Sequence, residues 1–445
     1  MSNKKYLASL HRGVKDWNKW RKNNLGTLPD LSGINLSGCT LIGIDFTGIN
    51  LVGANLVKSN FCGANFDGAN LTGANLTGAN LSGASLTGAN LTGANLIKAN
   101  YRSAELVGAN LSLANLAYAD LRAIDFTAAE LSNANFSQAN LNGAVFRGAK
   151  LTQCNFELAQ LVRADLTDAN LVRVRFNKAD LTGANLDRAN LTEANLRKVN
   201  LTGASLFQVD LTKANLTKAN LTEANLLKSD LTQAYLTGAN LTKTDLVRAN
   251  LTQADLSQAN LTEANLSGAN LVKTQAWLAN FDRSILTGAC IENLQIDGDT
   301  SFNKVTCQYL YLNYYQEQRI PQNPEHCLTS DRFKAILDNL IGSVNMVFDA
   351  DLNWSIFLTT FEKLQLRYKS QIIKIQSVEV LLDRRFLIKI KITPESEIDA
   401  IKSYNSVKNY FWRQYNLAAL SDSDLVSKSQ QHQRKLEQLN VYKQN

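Results

Sequence analysis

Large apolar residues recur at every fifth position through most of the chain. From Leu31 to Ile296 this spacing holds for 54 consecutive positions, of which 41 are Leu and 9 are Phe. The residue two places earlier is small, usually Ala, and the residue one place earlier is usually Asn or Asp. A typical unit reads Ala74-Asn75-Leu76-Thr77-Gly78. No insertion, deletion or proline interrupts the series, so the five-residue unit is a structural repeat.

A period of five fits neither regular secondary structure. On an α-helix the large residue would move around the whole surface, and on a strand it would alternate between the two faces. The period therefore predicts a coil that turns a corner after every unit. The large residue and the Ala two places before it then share the inward direction. Asn and Asp bond their own backbone at turns, and Gly adopts a positive φ freely, so both residue types suit the corners.

These units resemble the pentapeptide-repeat family, whose pattern is Ala-(Asp/Asn)-Leu-X-X. The resemblance implies a mainly β fold, a right-handed quadrilateral parallel β-helix with four units in each coil. It implies about 13 coils and, at about 4.8 Å between paired strands, a rod about 65 Å long. Neighbouring coils satisfy each other's backbone groups, and both ends of such a stack need covers.

Residues 1–30 are predicted to form an amphipathic capping helix. Leu7, Leu10, Val14 and Trp17 share one face, whereas Arg21 and the lysines lie elsewhere. A lid over the first coil is the favoured interpretation, and a basic helix on a membrane surface is the alternative. Residues 13–21 resemble the leader of pentapeptide-repeat proteins that are abundant in photosynthetic bacteria.

The composition changes after residue 300. We expect the β-helix at 31–300, a connector at 301–324, an α+β domain at 325–420 and a polar tail at 421–445. Apolar stripes predict one helix from Phe333 to Phe348 and another from Trp354 to Leu364. Alternation predicts two strands, at 373–380 with a slip near Ser377 and at 386–392, joined by a turn at residues 383–384. A third helix is predicted at residues 396–415. The stretch 307–312 and the hairpin resemble a module that follows the repeats in similar proteins.

Composition and charge exclude several classes of protein. The apolar fraction of 45% and the charged fraction of 19% argue against disorder. The net charge of +7 comes from the two ends, because residues 31–300 carry 20 basic and 22 acidic side chains. Nucleic acid is therefore not an expected partner. The N-terminus lacks the apolar segment of a secretory signal, no apolar run is long enough for a membrane span, and six scattered cysteines suggest free thiols. We expect a cytoplasmic protein.

The sequence offers no constellation for catalysis. Three histidines are scattered, and a zinc site built from Cys307, His326 and Cys327 would lack a fourth ligand and the usual paired spacing. The glycines belong to repeat corners and do not form a phosphate-binding loop. We therefore expect no enzyme activity, no cofactor and no bound metal.

Outward side chains are the remaining candidates for function. Residues 20 apart should stack on one side of the coil, which places Lys178, Lys198 and Lys218 in one column and Arg188, Lys228 and Arg248 in the opposite one. Either column is a solvated surface or a docking site for an acidic partner. Trp277 marks a unit with no large inward residue, so it either fills the gap or anchors the next domain. Candidate hot spots near the C-terminus are Tyr410, Trp412 and Arg413.

Two functions compete at this stage. The first is a non-catalytic scaffold, a rigid β-helical rod that binds protein partners of unknown identity, with partner specificity in the C-terminal domain and a homodimer as a possible assembly. The alternative, implied by the family resemblance, is a DNA mimic that modulates a type II topoisomerase such as gyrase. A mimic needs rows of carboxylates, and here basic residues match acidic ones almost one for one.

Overall fold

The computed structural model describes residues 4–24, 26–313, 315, 318–340, 343–348, 352–368, 372–380, 386–393 and 410–415. They divide into two compact units. The first contains residues 1–294 and 300–329, and the second contains residues 295–299 and 330–445.

Parallel pairing between residues 20 apart builds the first unit. Bridges join Asn35 to Asn55, Asn55 to Asn75 and so on along the chain, with four bridges in every 20 residues. In one unit, the Leu71 amide donates to the Asn90 carbonyl at 2.7 Å and the Gly73 amide donates to the Thr92 carbonyl at 3.0 Å. The Ala74 amide closes the corner on the Leu71 carbonyl at 2.9 Å. The predicted coil with one corner per unit is therefore present.

The core contains the third and first residues of each unit. Leu and Phe at the third position and Ala at the first are almost completely buried from Leu31 to Ile296. Aromatic residues stack where Phe repeats one coil apart, with ring centroids of Phe136 and Phe156 at 4.7 Å. Burial of each Leu stabilises the fold by about 1.5–3 kcal/mol, so the stack accumulates stability coil by coil.

The second residue of each unit shapes the corner that follows it. The Asn75 Oδ1 atom accepts hydrogen bonds from the Thr77 amide at 3.1 Å and the Thr77 hydroxyl at 2.6 Å. The same contact recurs at most corners, which confirms that Asn and Asp bond their own backbone there. The positive φ belongs instead to the fifth residue, as at Gly73 with φ 64°. A turn with positive φ at its third residue has this geometry.

Two short helices precede the repeats, and the second of them covers the first coils. Helix α1 spans Lys4–His11 and helix α2 spans Val14–Asn23, and Gly13 separates them with φ 106°. The single predicted helix was therefore wrong in this detail, because only Gly adopts that φ at low cost. Trp17 is fully buried, lies 5.6 Å from the Phe46 ring and donates from Nε1 to the Asp45 carbonyl at 2.7 Å.

Arg21 departs from the sequence interpretation, which placed it off the buried face. Its side chain is buried, and its guanidinium donates to the Thr27 carbonyl at 2.9 Å and the Thr47 carbonyl at 2.6 Å. Carbonyl groups of the first coil have no preceding coil to pair with, so a five-donor guanidinium satisfies groups that an apolar lid would leave unpaired.

Parallel pairing continues beyond residue 300, into the stretch assigned to a connector. Bridges join Asn280 to Ser301, Ile285 to Thr306 and Cys290 to Tyr311, each 21 residues apart. One extra residue after Ile296 therefore shifts the register by one. Strands β1 (Leu310–Tyr311) and β2 (Arg319–Ile320) then pair antiparallel.

The described part of the second unit combines helices with a small antiparallel sheet. Its elements are α3 (Ser330–Leu340), β3 (Ser343–Phe348), α4 (Trp354–Arg367), β4 (Ile372–Val380) and β5 (Phe386–Thr393). The strand order is β3-β5-β4, all antiparallel. The register shift between Ile375 and Ser377 confirms the predicted slip. The buried residues of this unit include Phe348, Phe357 and Ile388.

The predicted helix through Phe348 was wrong in its second half. Residues 343–348 form strand β3, in which Met346 and Phe348 alternate into the core while the strand pairs with β5. Val344, Val347 and Phe348 continue the helical stripe, whereas Val344, Met346 and Phe348 satisfy a period of two, so periodicity alone did not separate the two structures. Residues 383–384, most of the third predicted helix and the tail at 421–445 lie outside the described residues. Residues 410–415 are helical.

Candidate functional site

The corner positions carry the exposed side chains of the β-helix. From Gly33 to Gly288 the fifth residue of each unit has φ between 53° and 75°, whether it is Gly or not. Gly occupies this position in most of the early coils, and Lys, Arg, Gln and Glu replace it in most of the later ones. A positive φ costs a non-Gly residue about 1–2 kcal/mol, which the pairing above and below must offset. Outward chemistry is thus concentrated in the second half of the repeats.

Lys178, Lys198 and Lys218 lie on one corner, one coil apart, as the sequence predicted. All three are exposed with φ near 56°. No ion pair joins them to a carboxylate within the described residues. Their positive charges are therefore available to a ligand or partner.

The opposite corner differs from the sequence interpretation at Arg188. Arg188, Lys228 and Arg248 are exposed there, but the Arg188 guanidinium donates twice to the Asp168 carboxylate, at 2.8 Å each. This hydrogen bonding holds the pKa of Asp168 below its usual value and raises the pKa of Arg188. Arg188 is neutralised by a residue one coil away, so this column is less basic than the spacing suggested.

Similar ion pairs connect neighbouring coils elsewhere. Lys150 pairs with Glu130 at 2.6 Å, Arg173 with Glu193 at 2.7 Å and Arg283 with Glu263 at 3.3 Å. Each pair is exposed and contributes little to stability. Their main effect is to cancel charge on the faces where they lie.

Trp277 is buried at 4% exposure, although it occupies the fourth position of its unit, which is half exposed in most coils. Ala276 itself fills the inward position and is fully buried. The unit is further modified because the Thr300 hydroxyl donates to the Ala276 carbonyl at 2.9 Å. Trp277 is therefore buried, and both roles considered for it, filling the inward gap and anchoring the next domain, stay predictions.

The aromatic candidates near the C-terminus pack within their own unit. Trp412 is partly buried with its ring centroid 4.8 Å from that of Phe348, and Tyr410 lies beneath the Arg367 guanidinium at 4.7 Å. Arg413 is exposed. Of these three residues, Arg413 presents its side chain to solvent most fully.

The ionisable groups of the described residues are scattered or buried singly. Within the described residues, no group of three or more His, Cys, Asp or Glu side chains could hold a metal ion. Burial raises the pKa of the Cys154 and Cys307 thiols to about 12, which keeps both protonated. His326 and Cys327 are exposed on a loop. All six cysteines are free.

One polar feature was not identified from the sequence. The Asn220 Nδ2 group donates to the Thr202 hydroxyl at 2.8 Å, and this hydroxyl donates to the Asn200 Oδ1 atom at 2.7 Å. The pattern repeats one coil further, where Asn240 donates to Thr222 at 2.9 Å. A continuous ladder of amides and hydroxyls therefore runs along this face. The column of Asn followed two residues later by Thr, repeated at 20-residue intervals, was the available signal.

Comparisons with known proteins agree with the repeat pattern. The family model described as pentapeptide repeats matches in overlapping segments between residues 30 and 293. HetL, a pentapeptide repeat protein involved in heterocyst differentiation regulation in Nostoc sp. strain PCC 7120, is 31% identical over 49% of this chain and 89% of its own, with a TM-score of 0.31. A search among functionally characterised proteins finds no match.

Two further solved structures are similar over shorter stretches. A pentapeptide repeat protein from the thylakoid lumen of Arabidopsis thaliana is 33% identical over 21% of this chain and 65% of its own, with a TM-score of 0.21. Rfr23 from the cyanobacterium Cyanothece 51142 is 30% identical over 26% of this chain and 86% of its own, with a TM-score of 0.20.

Proposed function

The chain belongs to the pentapeptide-repeat family, and from this membership we propose that it is a non-catalytic scaffold that binds protein partners. The family fold is a right-handed quadrilateral β-helix, and the family is generally non-catalytic. One observation carries the proposal. The corner side chains are exposed on a backbone whose amides and carbonyls are bonded from coil to coil, so they are held in fixed columns. Such fixed backbone positions suit recognition, because binding then requires ordering of side chains only.

The finer architecture is part of the same proposal. It comprises about 13 coils, an N-terminal helical cap and a C-terminal α+β domain that supplies partner specificity. The recurrence of one five-residue pattern supports this division, since similar coils offer fewer features that distinguish partners than the C-terminal unit does. Exposed Arg413 and half-buried Trp412 are the proposed contacts of the C-terminal unit, and Trp277 is proposed as an anchor.

The six free cysteines support a reducing, cytoplasmic location within this proposal. Among the described residues, no helix combines the length and the apolarity needed to cross a bilayer. The partners proposed are proteins, with a second copy of the chain as one possibility.

The charge pattern disfavours a DNA mimic. Carboxylates that could imitate phosphates are paired with basic side chains one coil away, as in Asp168 with Arg188 and Glu193 with Arg173. The proposal therefore expects no change in DNA supercoiling by purified gyrase when the chain is added in several-fold molar excess. Inhibition at that ratio would favour the mimic.

Capture of partners tests the scaffold function. The full chain is immobilised, native lysate is passed over it, and bound proteins are quantified by mass spectrometry. We expect a discrete set of proteins that is reduced by Arg413→Glu and retained by Lys363→Glu, which makes the same charge change on an exposed side chain of α4. A set that is insensitive to Arg413→Glu would remove partner specificity from this surface, and no enriched protein at all would contradict the scaffold.

A further inference from the structure

One corner of the β-helix changes character along its length. Its fifth-position residues include, from one coil to the next, Lys98, Tyr118, Gln138, Leu158, Lys178, Lys198 and Lys218. We call the section from Tyr118 to Lys218 the Lys178 corner. It begins with the exposed side chains of Tyr118, Gln138 and Leu158, one coil after Lys98, and ends with three positive charges, and it spans five coils, about 24 Å.

The basic end is wider than the lysine column. Arg175 lies on the adjoining flat side and Arg197 is the fourth residue of the unit that contains Lys198, and both are exposed. No ion pair joins any of these five side chains to a carboxylate within the described residues. The nearby carboxylate of Asp180 accepts from the Thr182 amide and from Asn200 Nδ2 at 3.1 Å each. The five basic side chains of this face thus outnumber the Asp180 carboxylate beside them, and in the described part of the chain none of them is held in an ion pair, as Arg188 is on the opposite corner.

The apolar end is unusual for an exposed surface. Tyr118 is 51% exposed and Leu158 is 46% exposed, and Leu113 on the neighbouring corner is 64% exposed. All three have a positive φ, at a position where Gly would avoid the strain. The Tyr118 hydroxyl accepts from Gln138 Nε2 at 2.9 Å, which holds the ring against the corner. Aromatic and apolar groups beside Arg are typical of protein interfaces.

We infer that the Lys178 corner binds an acidic segment of a partner protein that has apolar residues at its other end. This inference rests on the proposed scaffold function and assigns it a surface. Charge complementarity places the carboxylates over Lys178, Lys198 and Lys218 and the apolar residues over Tyr118 and Leu158. A span of about 24 Å accommodates about seven residues of extended chain.

Nucleic acid fits this corner less well. The three lysines extend over two coil spacings, about 10 Å, which allows only a few phosphate contacts. The adjoining section would place Tyr118 and Leu158 against the charged backbone of a duplex. A partner with separate acidic and apolar ends uses both sections of the corner.

A defined peptide tests the inference on the full chain. The probe is a fluorescein-labelled peptide of about nine residues, with Leu and Tyr at one end and Glu at the other, and binding is followed by fluorescence anisotropy. Lys178→Glu combined with Lys198→Glu should weaken binding about tenfold. The matched control, Lys228→Glu combined with Arg248→Glu, makes the same change in net charge on the opposite corner and should alter binding by less than about twofold. Tyr118→Ser combined with Leu158→Ser should also weaken binding, by several-fold.

Several results would overturn the inference. One is an equal loss in both charge-reversal pairs, which would indicate a non-specific charge effect. Another is an unchanged affinity of the peptide for the variant with Tyr118→Ser and Leu158→Ser, which would show that these two side chains do not contribute to binding. A third is tighter binding of duplex DNA, or of phosphatidylserine vesicles, than of the peptide. The peptide could fail to bind as expected while lysate capture still depends on Arg413. That result would overturn the Lys178 corner as a binding surface and leave the scaffold function intact, so the two proposals can be refuted separately.

Discussion

Tyr101 is the single hydroxyl-bearing residue among the large inward positions from Leu31 to Ile296. It is fully buried, and its hydroxyl has no hydrogen-bond partner in the structure. In the same inward column, Leu81 lies one coil before it and Leu121 one coil after it. Burial accordingly raises the pKa of Tyr101 far above its usual value. We expect Tyr101→Phe to stabilise the protein.

The magnitude follows from the removed hydroxyl. A buried polar group without a partner costs about 1–3 kcal/mol, and the Phe ring fills the same space as the Tyr ring. A cooperative unit of about 280 residues has an unfolding entropy near 0.6 kcal/mol/K, so Tm should rise by about 2–5 °C. Tyr118→Phe is the control. Its hydroxyl is exposed and accepts from Gln138, so its removal should leave Tm within about 1 °C of the parent or slightly lower it.

Thermal unfolding by circular dichroism measures the difference, and hydrogen exchange of the amides around Leu81 and Leu121 reports it locally. The local measurement matters because a long repeat array need not unfold in one step. Two results together would refute the argument that this hydroxyl is an uncompensated buried group. The Tm of Tyr101→Phe would be unchanged or lower, and the amides around Leu81 and Leu121 would exchange no more slowly than in the parent.

Two further substitutions test the core and the polar ladder. Leu186→Lys should destabilise the protein by several kcal/mol in urea unfolding, because it buries an unpaired charge among Leu side chains. The control Gln208→Lys lies at an exposed corner and should be nearly neutral. Equal stability of the two variants would contradict the inward direction assigned to Leu186. Asn220→Ala should cost about 2–3 kcal/mol, because it removes three accepted and two donated contacts, whereas Asn95→Ala, whose side chain accepts from one amide, should cost about 1 kcal/mol or less. Similar losses of unfolding free energy in both variants would show that the ladder of amides and hydroxyls does not stabilise the protein.

The repeat fold could be derived from the sequence because its interactions are local or strictly periodic. A five-residue unit sets its own corner through the contact of Asn75 with Thr77, and the next coil presents the same unit 20 residues later. The inward direction of Leu186 and the stacking of Lys178 over Lys198 follow from that register alone. The 20-residue register therefore places both candidate columns on the corners where the structure has them.

The tertiary structure decided which charged side chains form ion pairs. It also decided which residues are buried although the sequence pattern places them on the surface. Whether Arg188 meets Asp168 depends on the reach and rotamers of two side chains one coil apart, which a residue count does not contain. Arg21 is buried because the first coil leaves carbonyl groups that only a packed helix can reach. Residues 343–348 form a strand because β5 provides a pairing edge more than 35 residues away, and that long-range partner outweighs the local helical pattern.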